Sequence, residues 1–370
     1  MLRIREWRRR AGPVRTSRTW TIGQFAVFGL VSIVAVGLVA CATPVNSDNT
    51  AIVESAPVTN QPPVGPGTIW VANNGSNDVY VIDESTLKVI ARIDVGGMPH
   101  NVTVGRKYAY VPNSTDDTVS LIDLTTYEVV STIEVGSAPH DVAVTPDETL
   151  AFATNMGSGS VSVIDVAARS VIREVTVGTS PAHSRTSADG SAVYVANTRS
   201  GDITIIDTAT LDVLDTLRAG EGAHNVMQLA DPTRLIVTLS NEGGVVELDL
   251  ETGSRLSFVE TGPSPHNFSL SPDGSSVFVA NTGSTTVIPV NTESWTVGDS
   301  LDVGADAHGI ALSYDGQTGF ISNRGSGSVT VVNIGDGTVV KVLKVGSGPD
   351  GMWWGPPPPS TLVTYIEGSN

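Results

Sequence analysis

Six histidines stand at 100, 140, 183, 224, 266 and 308, one for each successive stretch of about 42 residues. Imidazole is the commonest side-chain ligand of transition metals and the side chain that titrates nearest neutrality, so a periodic set of this kind points first to metal capture. Four residues after a recurring glycine (Gly96, Gly136, Gly220, Gly262, Gly304) come His100, His140, His224, His266 and His308, and the seventh copy, after Gly346, puts Asp350 there. The copy after Gly178 has Ala182 in that slot and His183 one step later. A one-residue slip turns a strand side chain to the opposite face, so His183 is expected to point away from the others. No Ser/His/Asp triad or close carboxylate pair follows from the spacings, and no catalytic residue is assigned.

The elements that hold the slot repeat with it. Apolar runs ending in Asn recur at 70–73, 110–113, 194–197 and 278–281, with weaker copies ending at Asn155, Asn241 and Asn323. Each is followed by a Gly/Ser/Thr turn and an alternating strand such as 79–83 or 161–165. A third run leads to the glycine before the slot, and the strand after the slot often closes on a turn such as Ser271-Pro272-Asp273-Gly274. Four short strands per repeat, seven times, without helical periodicity, predict an all-β, seven-bladed β-propeller over residues 67–370, with four antiparallel strands per blade. The repeats begin on a second strand and end on a first strand at 350–355, so the N- and C-terminal strands are expected to share one blade and close the ring. Residues 361–367 read as an extra copy of a second strand with no assigned place.

In such a ring the slots surround the central channel at one mouth. His308, Asp350, His100 and His140 are neighbours there and form the expected core of a metal set that also includes His224 and His266. Histidines with one carboxylate suit zinc, imidazole alone also suits copper or nickel, and Met352 beside Asp350 keeps copper open. Such binding needs neutral imidazoles and is expected to weaken as pH falls through about 6.5. The bland alternative is that the histidines are scaffold. Asp147, Asp231, Asp273 and Asp315 each lie seven residues after an in-register His and offer it a turn carboxylate, as the corresponding pair does in WD40-type propellers, which this arrangement resembles.

The recurrent Y-V-A-N, V-S-V-I-D and V-G-x-x-P-x-x-V-x-V-S-P-D-G elements resemble the YVTN-type seven-bladed propellers of bacterial and archaeal envelope proteins, from about residue 67 to 355. That resemblance implies the fold and leaves function open. Hub histidines also resemble those of nitrous oxide reductase, which carries a cupredoxin domain that this chain lacks. The P-H and P-D-G elements are similar to those of lactonase-type propellers, but their acid and Arg site residues do not map here; Arg185 is the only Arg close after a slot. A His-bearing propeller that serves as a periplasmic zinc metallochaperone is the nearest functional analogy.

Smaller motifs read as structure. Gly157-Ser158-Gly159 and Gly325-Ser326-Gly327 join strand to strand and are turns rather than phosphate loops. Asp83, Asp123, Asp165 and Asp207 are placed to satisfy turn amides. Trp353-Trp354 fills either the core at the closure or a wall of the channel.

The N-terminus predicts an address outside the cytoplasm. Seven arginines within residues 1–18 precede an apolar run from Phe25 to Ala40 and the sequence Leu38-Val39-Ala40-Cys41, with the sole cysteine last. This resembles a bacterial lipobox, which implies cleavage of a signal peptide at 1–40 and lipidation of Cys41. An uncleaved anchor is the alternative, since the apolar stretch is just long enough to span. The arginines then stay inside and the propeller lies outside. Export by the general or the twin-arginine route is left open by Trp7-Arg8-Arg9-Arg10. Residues 41–66 carry no periodicity and read as anchor and linker. The formal charge of −17 becomes −23 once residues 1–40, with seven Arg and one Glu, are removed. So acidic a domain is repelled by phosphate backbones, and nucleic acid is not an expected partner. The expectation is a monomeric, non-enzymatic, surface-anchored binding protein for zinc or copper. Its rival is an adhesive, protein-binding envelope module, and a lactonase-like or copper oxidoreductase-like enzyme stands behind both.

Overall fold

The computed structural model describes residues 66–359. The signal region, Cys41, the linker and the 361–367 segment lie outside the described residues. Twenty-eight strands, β1 to β28 in chain order, form seven four-stranded sheets. The first blade consists of β28 (Pro349–Gly355), β1 (Thr68–Asn73), β2 (Asp78–Asp83) and β3 (Lys88–Asp94), in that order from the axis outward. β28 pairs antiparallel with β1 from Thr68↔Gly355 to Asn73↔Pro349. The expected closure from the two ends of the array is therefore observed.

Period-two alternation explains how each second strand serves two neighbours. Ile69 and Val71 of β1 pack with Phe320, Val329 and Val331 of the seventh blade, while Trp70 and Ala72 pack with Ala109, Val111 and Ile122 of the second. Both faces are covered, which is why these strands read as nearly continuous apolar runs. Burying each large side chain this way contributes about 1.5–3 kcal/mol. Outer strands such as Val129–Glu134 and Val213–Arg218 alternate between cover and solvent, and their repeat signal is weaker for that reason.

The Asn that ends most second strands clamps its hairpin. Asn113 Nδ2 donates to Thr118 Oγ1 (3.0 Å) and Ser120 Oγ (2.9 Å), and Asn323 Nδ2 repeats this with Ser328 and Thr330. In the fifth blade the strand ends at Leu239, not Asn241, and Leu239 takes the Asn position opposite Ala223. Asp83, Asp123, Asp165 and Asp207 accept turn N–H groups as expected.

The inner strands after the first blade's are β4 (Thr103–Val104), β8 (Pro139–Val144), β12 (Pro181–Thr186), β16 (Ala223–Gln228), β20 (Pro265–Leu270) and β24 (Ala307–Leu312). Two residues before every slot the backbone has positive φ, from 47° at Ser264 to 76° at Gly222. This left-handed step turns the chain into the channel. A register shift follows at the slot in every inner strand except the short β4, for example between Pro181 and Ser184 opposite β13 (Ala192–Asn197). A bulge leaves its extra residue outside the ladder and re-aims its side chain.

Candidate metal centre

The slot residues form one ring and the residues after them a second. Around the first run His100, His140, Ala182, His224, His266, His308 and Asp350; around the second run Asn101, Asp141, His183, Asn225, Asn267, Gly309 and Gly351. Hydroxyls tie the two rings together on alternate blades. Thr154 Oγ1 receives the Asp141 N–H and donates to Ala182 O (2.5 Å); Ser322 Oγ does the same between Gly309 and Asp350 O (2.5 Å). The second ring has its own polar bonds, Asn101 Nδ2 to Asp141 Oδ1 (2.6 Å) and Asn225 Nδ2 to Asn267 Oδ1 (2.8 Å). Slot positions are thus fixed by backbone and by neighbours, not by the histidines themselves.

His183 does not point away. It is 1% exposed and meets His140, His224 and His266 at ring-centroid distances of 5.0, 5.1 and 6.1 Å. The expectation failed because it assumed a regular strand. The bulge at Ala182 and His183 re-aims the slipped residue, and the small Ala182 leaves it room in the hub. His140, His183 and His224 each offer one donor atom, and the three lie within 4.8 Å of one another. Ligand atoms of a tetrahedral ion with 2.0–2.1 Å bonds stand about 3.3 Å apart, so convergence needs shifts of about 1.5 Å. The expected core of His308, Asp350, His100 and His140 is therefore not the tightest group; His140 alone belongs to both. His100 stacks on His140 (4.7 Å, 20°), and His266 bridges from His224 (3.8 Å) to His308 (4.0 Å).

Neither nitrogen of His183, nor Nδ1 of His140, nor Nε2 of His224 has a hydrogen-bond partner, although all are buried. Leaving such groups unpaired costs about 1–3 kcal/mol each, and a shared cation would relieve it. Thr198 Oγ1 lies 3.2 Å from His224 Nδ1 and leaves Nε2 to face the hub. Beneath His183, Asp141 Oδ2 stands 3.4 Å from Nδ1 while accepting Ser184 N–H and Arg185 Nη1 (both 2.9 Å). A carboxylate behind an imidazole fixes its tautomer and orientation toward a metal. Burial, reinforced by the neighbouring imidazoles, holds His140, His224 and His266 well below the usual histidine range. Burial also lowers His308, against the pull of Asp350. These side chains are neutral ligands at pH 7 and remain so below 6.5, so proton competition sets in lower than the ordinary histidine value implies.

The turn carboxylates are not histidine partners. Asp147 bonds Thr145 and Thr149, Asp231 bonds Thr233, Asp273 bonds Ser271 and Ser275, and Asp315 bonds Ser313 and Gln317. At the histidine mouth a cavity of about 450 Å³, walled in part by Thr198, Arg199, Arg218 and Glu221, reaches His224 and offers an entry path. At the far mouth Arg185 lies 4.7 Å over the Trp353 ring, and both border two cavities of about 350 and 210 Å³. Trp353 is thus a channel wall as well as a neighbour of the core, whereas Trp354 Nε1 is tied to Glu84 (2.9 Å) at the closure.

Residues 35–357 match the model of the YNCE-like beta-propeller family. The chain belongs to that family. No curated protein matches it. Among solved structures it is similar to Kuenenia stuttgartiensis hydrazine synthase, at 21% identity over 68% of this chain and 88% of that one, with a TM-score of 0.64. A functionally unknown protein of Desulfotomaculum acetoxidans is 18% identical over 79% and 99% of the two chains, TM-score 0.67. A proposed 6-phosphogluconolactonase of Bacteroides fragilis is 13% identical over 79% and 98%, TM-score 0.68. Likeness at these identities is a likeness of fold, and the chemistry must be argued from this hub.

Proposed function

We propose that this YNCE-like propeller is a lipid-anchored, extracytoplasmic protein that captures zinc or copper in its channel. The observation that carries the reading is the buried set His140, His183 and His224, with one donor atom from each within 4.8 Å of the others and ring nitrogens that lack hydrogen-bond partners. Three imidazoles suit Zn(II) and Cu(II) and leave a fourth position for water or an exchanging ligand, a composition fit for capture and release. The lipobox-like 38–41 sequence supports placement at the membrane's outer face. A docking role on the blade rims is a second reading, favoured by Val339, Val340 and Val342, which are 50%, 56% and 54% exposed on one outer strand.

The test is calorimetric titration of the full-length, untagged chain in detergent after chelator treatment. Zn(II) or Cu(II) should bind with a measurable heat at pH 7.5 and raise the melting temperature. His183→Ala should lower the affinity at least tenfold. A flat thermogram with both metals would leave the ring as scaffold.

A further inference from the structure

The second ring is not uniform, and its two glycines tighten one side of the hub. A Cβ at Gly351 would collide with Asn101 Oδ1, and one at Gly309 with the Asp350 carbonyl. Only glycine allows β24, β28 and the chain leading into β4 to approach this closely. Gly351 N–H donates to His100 O (2.9 Å), which holds His100 beside the closure. Three slot side chains converge as a result. Asp350 Oδ1 is 3.0 Å from His308 Nδ1, and Asp350 Oδ2 is 3.4 Å from His100 Nδ1.

Asp350 is 1% exposed, yet its Oδ2 has no hydrogen-bond donor, and neither does His308 Nδ1. The nearest fixed cation, Arg324 Nη1, stands 3.8 Å away on a side chain 38% exposed. A buried carboxylate with an oxygen free of hydrogen bonds is a ready ligand for a cation. The two separations run to different oxygens, so the Asp350 carboxylate stands between the two imidazoles and joins them into one group, although their donor atoms converge less closely than those of the His140, His183 and His224 set. The triad occupies blades three to five; Asp350, His308 and His100 occupy blades one, seven and two. His266, on the sixth blade, stands between the two arcs on one side.

We infer that the hub holds a second divalent-cation centre, formed by Asp350 and His308 with His100 as third donor, so that one ring takes two ions in separate arcs. This rests on the reading of the hub as metal-binding, and it adds a site with a different donor set. The triad offers nitrogen alone; the second centre carries a carboxylate, which favours zinc over copper relative to the triad.

Zinc stoichiometry separates the two ideas. Full-length, untagged chain would be stripped with chelator, titrated with ZnCl₂ by calorimetry, and its bound zinc counted by atomic emission after desalting. Two equivalents are expected for the unaltered chain. Asp350→Ala should leave one, His183→Ala should leave one, and the double variant none. Circular dichroism of each metal-free variant checks folding, and His308→Phe, close in shape, replaces Asp350→Ala if the latter does not fold. One equivalent that survives Asp350→Ala and vanishes in His183→Ala would overturn the second centre and keep the triad. Two equivalents retained in both Asp350→Ala and His308→Phe would overturn it as well, and no binding at all would overturn both readings.

Discussion

Asp141 and Asp350 are both buried carboxylates in the hub, but their surroundings give them different tasks. Asp141 accepts bonds from Asn101, Ser184 and Arg185; burial opposes its ionisation, but the Arg185 charge, the neighbouring His183 and the Ser184 N–H hold its carboxyl well below the usual range. Asp350 is lowered too: burial opposes its ionisation, but His308, His100 and Arg324 outweigh it. The histidines set the more accessible pH dependence. His140, His224, His266 and His308 have folded pKa values below the unfolded value of about 6.5, so the unfolded chain takes up protons first as pH falls. Their contribution to stability is complete above about 6.5 and is lost below it, by about 1 kcal/mol per histidine per pH unit while the folded ring stays neutral. Asp141 and Asp350 lose theirs only below about 3.9, as pH falls toward their folded values. Thermal melts of metal-free protein should therefore drop steeply between pH 7 and 5.5, and an unchanged midpoint would contradict the buried, neutral ring. Five of the six histidines were legible as slot residues from counting alone. His183 was not, because its orientation depends on a bulge and on the smallness of Ala182, neither of which has a periodic signature.

At the scale of the strand, legibility followed burial. Second strands, covered on both faces, announce themselves as apolar runs, and the blade count follows from them. The inner strands were harder to read, since the left-handed residue before each slot is Met98, Ala138, Ser180, Ser264 or Asp306 in five blades and glycine in only two. The same reasoning missed the glycines of the second ring, whose importance lies in what approaches them. Gly351→Ala should destabilise the domain by about 1–3 kcal/mol, the usual cost of overpacking, because Asn101 and its bond to Asp141 must shift. Chemical denaturation against the unaltered chain measures it. A loss below about 0.5 kcal/mol would mean that the strands can part without penalty.

For the whole molecule, the proposed address rests on a single thiol. Cys41→Ser should leave an unprocessed precursor without lipid, detectable as a mass increase from the retained signal and as loss of label from a fatty-acid analogue. Acyl chains contribute about 0.8 kcal/mol per buried CH₂, so two or three chains hold a protein at the membrane. Unaltered protein free of lipid by mass spectrometry would remove the anchor from the proposal.

The pairing of β28 with β1 has a temporal side. The Thr68 hydroxyl bonds the carbonyl of Pro356, 288 residues later. Synthesis proceeds from the N-terminus, so the first blade waits, one strand short, while six others are made. Until Pro349–Gly355 emerges, β1 presents a bare row of amides and carbonyls, the kind of edge that recruits other chains. Contacts across so long a loop also form slowly. The interval between synthesis of the first blade and arrival of its last strand is thus the period in which this protein most needs an escort, and the hub is not assembled before it ends.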